Sequence, residues 1–156
     1  MKLIREKRSL FIYLLLSVLT FGIYAIYHQY MMICDINTML KEDGKKTPQV
    51  FWLLLLFVPT LTLYPLFWHC ALGNRLRANL RARNIPCAVG GGGQLLLVLL
   101  GRQCLPLLWI AQYNVIHACN DLAKQYNAAR AQTASATSAV SARQKAAQKQ
   151  PDDLYW

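Results

Sequence analysis

The chain has 156 residues, of which 55% are apolar and 15% charged, and its formal net charge is +10. An ordinary globular domain has about 25% charged residues, so this composition favours a membrane protein. A basic surface can bind nucleic acid, but here the basic residues cluster beside apolar segments, where they act as topology signals. We therefore predict no nucleic-acid partner.

Three apolar segments dominate the sequence. Each is longer than the ~20 residues that a helix needs to cross about 30 Å of hydrocarbon. The first two segments carry no charged residue, and the third carries only Arg102. We expect an all-α integral membrane protein whose three-helix membrane domain covers residues 1–126. The predicted transmembrane helices are residues 10–34, 50–72 and 95–119.

One face of the first predicted span is polar. At 100° per residue its polar and aromatic side chains share one third of the helix circumference, and the opposite face is mainly aliphatic. Polar side chains at membrane depth are stabilised by other helices or by a wet cavity, so this face should meet the other spans or a partner. The candidates for this helix interface are Thr20, Tyr24, Tyr27, His28 and Asp35.

The two loops between the spans differ in character. The first contains Asp43-Gly44 and Thr47-Pro48, which are turn signals, so the first two spans should be antiparallel neighbours. After the second span, leucines at every fourth position are interleaved with arginines, which predicts an amphipathic helical extension at the cytoplasmic headgroups. The candidates for binding lipid headgroups are Arg75, Arg77, Arg81 and Arg83.

The third predicted span also has a polar face, formed by Arg102, Trp109, Tyr113 and His117. Two polar faces in one small chain should face each other, and hydrogen bonds between helices are the simplest explanation for them.

Arg102 is the costliest of these residues in a membrane, and two explanations for it stay open. Its side chain either snorkels to the headgroups or bonds within the bundle. In the bundle its partners would be the Tyr64 ring and the Leu61 carbonyl that Pro65 leaves without a helical donor. We prefer the inward orientation, because Trp109 continues the same helix face.

The sequence has no pattern typical of catalysis or of cofactor binding. The five cysteines have no C-x-x-C spacing, and the three histidines lie singly on apolar helices. Cys34, Asp35, His117 and Cys119 could converge when the first and third helices pack, but their spacing matches no metal motif. We therefore predict no enzyme activity, no cofactor and no metal site.

Residues 127–156 form a tail rich in alanine, glutamine and serine. Such a composition cannot bury enough apolar surface to offset its conformational entropy, so the tail should be disordered or weakly helical.

The distribution of lysine and arginine predicts the orientation. Four basic residues precede the first span and four follow the second, whereas the first loop has three. We expect a multi-pass protein of the cell inner membrane with a cytoplasmic N-terminus and second loop. The first loop and the C-terminus would then be external.

A motif in the first span carries a family resemblance. Thr20-Phe21-Gly22-Ile23-Tyr24-Ala25-Ile26-Tyr27 is preceded by Arg5 and followed by Asp35-Ile36-Asn37. This resembles an uncharacterised bacterial multi-span membrane family, a domain of unknown function with a T-x-G-I-Y-x-x-[YW] motif. The similarity covers about residues 5–125, with a specific match only in the first span. The resemblance implies a bacterial membrane protein and adds no reaction.

The resulting functional hypothesis is a small membrane protein of unassigned activity. It would be an accessory or interaction protein that binds a membrane-protein partner, a second copy of itself or anionic lipid headgroups. The alternative is a small transporter or channel subunit that acts as an oligomer, because three helices alone scarcely enclose a pore.

Overall fold

The computed structural model describes residues 3–57, 63–88 and 90–148. All regular structure in these ranges is helical, which confirms the all-α prediction. In that part of the chain, no helix combines the length and the apolar character that crossing a membrane requires. The helices are α1 (Leu10–Leu19), α2 (Ile23–Met39), α3 (Val50–Phe57), α4 (Leu63–Ala82), α5 (Gly91–Gly101) and α6 (Leu105–Gln148), with a short 3-10 helix at Lys41–Asp43.

Each of the three apolar segments contains parts of two helices, where the sequence predicts one. The pairs are α1 with α2, α3 with α4, and α5 with α6, and the members of each pair pack against each other. Each segment therefore forms a helical hairpin. The connection in the second hairpin, residues 58–62, lies outside the described residues, as does the Leu61 carbonyl proposed as a partner of Arg102.

The break in the first segment has a clear local cause at the end of α1. The Gly22 N–H donates to the Ser17 carbonyl (2.7 Å) and the Phe21 N–H donates to the Val18 carbonyl (3.2 Å). This pair of bonds is a Schellman motif, which ends a helix through a residue in the left-handed region. Phe21 and Gly22 both lie there, with φ of 51° and 88°.

The hydroxyl of Thr20 joins the two helices of the first hairpin. It donates to the Leu16 carbonyl in α1 (2.7 Å) and accepts from the Tyr24 N–H in α2 (2.9 Å). The chain then folds back, so that the rings of Tyr13 and His28 lie 4.9 Å apart. The T-x-G-I-Y motif is therefore the turn of a hairpin, where the sequence predicts the middle of a continuous helix.

The second and third hairpins are also closed by hydrogen bonds between their helices. The Trp68 indole N–H donates to the Pro48 carbonyl just before α3 (3.3 Å). The Gln94 side chain of α5 donates to the Ala111 carbonyl of α6 (3.0 Å). At Gly101, a Cβ would lie 2.7 Å from the Leu108 side chain, so only glycine allows α6 to approach the end of α5 this closely.

The main apolar core lies at the open ends of the hairpins, among α2, α4 and α6. The leucines of the predicted amphipathic extension are buried in this core, where the sequence predicts that they face membrane headgroups, and α4 ends at Ala82. A smaller cluster lies between the hairpins. The largest fully buried apolar side chains are Met32, Ile33, Ile36, Leu40, Leu72, Leu76, Leu80 and Leu122, and the smaller cluster contains Leu66, Val98 and Ala111.

Helix α6 continues far into the predicted tail. It runs to Gln148, and residues 131–145 are exposed on all sides. The sequence predicts a disordered or weakly helical tail, and the described part of the tail is helical. Asn127 is buried against the N-terminal segment, so the packed part of the molecule extends just past residue 126.

Candidate membrane-facing surface and its polar base

The apolar arms of the molecule are the described residues of 10–34, 50–72 and 95–119. Apart from Leu3 and Val140, all exposed large apolar side chains among the described residues lie in these arms. Many large apolar side chains exposed on the same segments are typical of a site of contact with a membrane or another protein. The most exposed of these side chains are those of Phe11, Val18, Leu19, Phe21, Ile23, Phe51, Phe67 and Leu105.

Phe21 stands at the tip of the first hairpin. Its side chain is 99% exposed, and its φ of 51° lies in a region that bulky residues rarely adopt. Strained residues of this kind cluster at functional sites, because the surrounding structure must hold them in place. The tip therefore combines full exposure, a large aromatic side chain and a strained backbone.

The base of the molecule comprises residues 3–9, residues 40–49 and the parts of α2, α4 and α6 beyond the arms. Its exposed charged residues are mainly basic, with Glu6 and Glu42 as the exposed acids. We call the exposed basic residues the basic collar. The collar consists of Arg5, Lys7, Lys41, Lys45, Lys46, Arg77, Arg81 and Lys124.

Arg75 differs from the other headgroup candidates because its side chain is only 6% exposed. Its guanidinium donates to both oxygens of Asp43, at 2.8 and 3.0 Å, and to Asn37 Oδ1 and Thr47 Oγ1. Asn79 donates to the same carboxylate. These bonds fix the first loop on α4, so Arg75 is committed to the protein interior and is unsuited to lipid. Arg77 and Arg81 are exposed, and Arg83 is half-buried.

The Asp43 carboxyl is held in its charged form by this arrangement. The hydrogen bond from Arg75 lowers the pKa of Asp43 from its ordinary value of 3.8 to about 2, against the opposing effect of burial. A backbone N–H from Lys45 contributes in the same direction. Charge-assisted bonds in a fork geometry of this kind are among the stronger hydrogen bonds in proteins.

A second buried ion pair closes the open end of the first hairpin. The Arg8 guanidinium, just before α1, bonds to the Asp35 carboxylate near the end of α2, and both side chains are nearly buried. Arg8 also donates to the sulfur of Cys119 in α6. Of the four residues weighed as metal ligands, Asp35 and Cys119 thus meet around a cation, while Cys34 contacts Gln49. Among the described residues, no three His, Cys, Asp or Glu side chains are grouped closely enough to hold a metal ion.

The N-terminal segment is bonded directly to α6. The Asn127 side chain accepts from the Ile4 N–H (3.1 Å) and donates to the Ile4 carbonyl (2.7 Å), and Asn120 makes the same pair of bonds with Arg8. The expected topology places residues 4–8 and 120–127 on opposite sides of a membrane. In the structure these two segments lie side by side at one end of the molecule.

The bond between Asp43 and Arg75 is a second contact of this kind. It joins the first loop to the amphipathic extension, which the sequence predicts on opposite sides. Both loops and the N-terminal segment therefore lie at one end of the molecule.

The remaining interface candidates are divided between the interior and the surface. Tyr24 and His28 are half-buried, and their rings are 6.0 Å apart. Tyr64 packs against the main core. Arg102 lies exposed in the turn between α5 and α6, where the sequence predicts the interior of a helix. The candidates with exposed side chains are Tyr27, Arg102, Trp109, Tyr113 and His117.

Comparison with known proteins places one part of the chain in context. No curated protein and no solved structure matches the chain. One family model does match part of the chain. The matched range begins at Arg8 and ends within α4, so it contains the apolar segments of the first two hairpins and both buried ion pairs. It is shorter than the similarity expected from the first-span motif. Over residues 8–78, the chain is similar to the family described as Domain of unknown function (DUF4234).

Proposed function

We propose that this chain is an accessory protein of the bacterial inner membrane that binds anionic lipid. The observation that carries the proposal is the separation of exposed side chains along the molecule. Large apolar groups are exposed on the arms, and the basic collar surrounds the base. A lipid leaflet has the same order, with hydrocarbon inside and charged headgroups at its surface.

The arms supply the apolar part of the proposed interaction. Burying one large apolar side chain contributes about 1.5–3 kcal/mol, so the many exposed residues of the arms strongly favour hydrocarbon over water. Arg102 opposes this, because an arginine at the bilayer centre costs about 2.5–3.5 kcal/mol on insertion scales. The apolar contribution exceeds that cost several times over.

The collar supplies the charged part. Each lysine or arginine near an anionic surface contributes about 1 kcal/mol, and the collar has eight such residues against two exposed acids. The arms and the collar together form the proposed lipid-binding surface. The two buried ion pairs hold the first hairpin closed and the first loop on α4. We propose no catalytic role for any of these residues.

The test is partition of the purified chain into vesicles of phosphatidylcholine with and without phosphatidylglycerol, measured by flotation at limiting lipid. We expect Arg77→Gln with Arg81→Gln to lower the partition coefficient for the anionic vesicles by a factor of about 10 or more. Partition into neutral vesicles should be unchanged. The matched control is Arg143→Gln with Lys145→Gln, which removes the same charge from the exposed tail. Equal effects of the two double variants would contradict a specific role for the collar.

A further inference from the structure

We infer that the three hairpins enter the bilayer from one side and end in its interior, so that the chain occupies a single leaflet. The partner of the apolar arms is then the hydrocarbon of that leaflet. This inference rests on the proposed function and specifies how the membrane is bound.

The hairpins open toward the same end of the molecule. Arg8 contacts Asp35 across the open end of the first hairpin, and Pro48 contacts Trp68 across that of the second. At the start of the third hairpin, the Gly91 N–H donates to Asn74 of α4 (3.0 Å). The two described turns, at residues 20–22 and 102–104, therefore point away from this shared base.

The length of the arms fits one leaflet. Helix α1 has 10 residues and α5 has 11, which correspond to about 15 and 16 Å along the helix axis. Half of the hydrocarbon core of a bilayer is also about 15 Å. Hairpins of this length reach the middle of the bilayer when the base lies at one headgroup layer.

The base is held together on one side by the bonds of Ile4 with Asn127 and of Asp43 with Arg75. Its basic collar favours the cytoplasmic, anionic face. Helix α6 leaves the base after Asn127, so the exposed tail lies on that face as well.

The tips of the hairpins would lie deepest in the bilayer. Phe21 is held fully exposed by the Schellman motif, which places an aromatic side chain at the deepest point of the first hairpin. Arg102 is the exception, and an arginine at this depth is tolerated where its stem snorkels and draws in headgroups and water.

The experiment uses two full-length variants expressed in bacteria, each with one cysteine. One retains Cys104 in the third turn, and the other has Ser138→Cys in the tail; both positions are exposed. A membrane-impermeant maleimide is applied to intact spheroplasts and to inverted membrane vesicles. We expect Ser138→Cys to be labelled only in inverted vesicles and Cys104 to be labelled in neither.

Three results would overturn the inference. Labelling of Ser138→Cys in spheroplasts would place the tail outside, as three crossings require. Labelling of Cys104 in spheroplasts would show that the third hairpin crosses the bilayer, and its labelling in inverted vesicles would show that the hairpin stays out of the hydrocarbon. Recovery of the chain in the soluble fraction without carbonate treatment would instead contradict the proposed membrane binding, so the two failures are distinguishable.

A second measurement guards against misfolding when the native cysteines are replaced. Trypsin is applied to the unaltered chain in the same preparations, where Arg143 and Lys145 are exposed in the tail. We expect cleavage in inverted vesicles and full protection in spheroplasts. Cleavage in spheroplasts would contradict one-sided insertion.

Discussion

Replacing Arg75 by methionine is expected to destabilise the protein by about 2–3 kcal/mol. Removing one partner of a fully buried ion pair costs about 3–5 kcal/mol, and the value here is lower because Asp43 keeps 15% of its side chain exposed. The substitution also leaves Asn37 and Thr47 without the donor that joins them to α4. Thermal unfolding of the purified protein in detergent measures the effect.

In Arg75→Met, the stability of the fold should depend less on pH than in the unaltered protein. The pKa of Asp43 is lowered in the folded protein, so the stability that this group contributes is fully present above about pH 4. It falls as the pH decreases toward 2, where the folded carboxyl becomes protonated. The unaltered protein should therefore lose more stability than Arg75→Met between these values.

Arg81→Met is the matched control for both measurements, because Arg81 lies on the same helix and is exposed. We expect it to change stability by less than about 0.5 kcal/mol. If Arg75→Met were as mild as Arg81→Met, the ion pair would have no role in holding the first loop.

The second large effect is expected at the tip of the first hairpin. Phe21→Asp places a charge where the account predicts the bilayer interior, at a cost of about 2.5–3.5 kcal/mol. Partition into vesicles should fall about 100-fold. Aspartate and asparagine tolerate the left-handed region better than phenylalanine, so the fold itself should be unharmed.

Phe21→Asn separates the contribution of charge from that of lost apolar surface. It relieves the same backbone strain without adding a charge, so its partition should lie between those of the unaltered chain and Phe21→Asp. Flotation at limiting lipid and thermal unfolding in detergent give the two readouts. Unchanged partition of Phe21→Asp would show that the tip lies outside the hydrocarbon.

The features that follow from local sequence patterns are correctly predicted. The spacing of Leu72, Leu76 and Leu80 indicates that the helix continues past the second segment, and α4 runs to Ala82. The apolar composition of the first segment predicts helical structure, and α1 and most of α2 lie in that segment. These properties depend on neighbouring residues within one or two turns, which the sequence displays directly.

The hairpin turns could not be recognised in the same way. A membrane helix accommodates glycine, and the arms are apolar on both sides of the turn, so Gly22 gives no change of periodicity. Tyr13 and His28 fall on one face of a continuous helix and also meet across the hairpin. The stripe of polar residues is therefore compatible with both arrangements.

The charges at the ends of the apolar segments distinguish a hairpin from a continuous helix. Arg8 precedes the first segment and Asp35 follows Cys34, its last residue, and an ion pair between them requires the chain to fold back. Asp43 and Arg75 have the same relation around the second segment. The sequence predicts topology signals or headgroup ligands at these basic positions, and its pattern does not distinguish the two buried arginines, Arg8 and Arg75, from the exposed ones.

The proposed insertion requires the first apolar segment to fold back on itself in the membrane. Its most direct test is an electron spin distance between labels at Ser9→Cys and Thr38→Cys in an otherwise cysteine-free chain in vesicles, since both positions are exposed. The contact of Arg8 with Asp35 predicts a distance well below half of the about 44 Å that a continuous helix would give between these positions. A distance near 44 Å would contradict the hairpin and restore a single crossing.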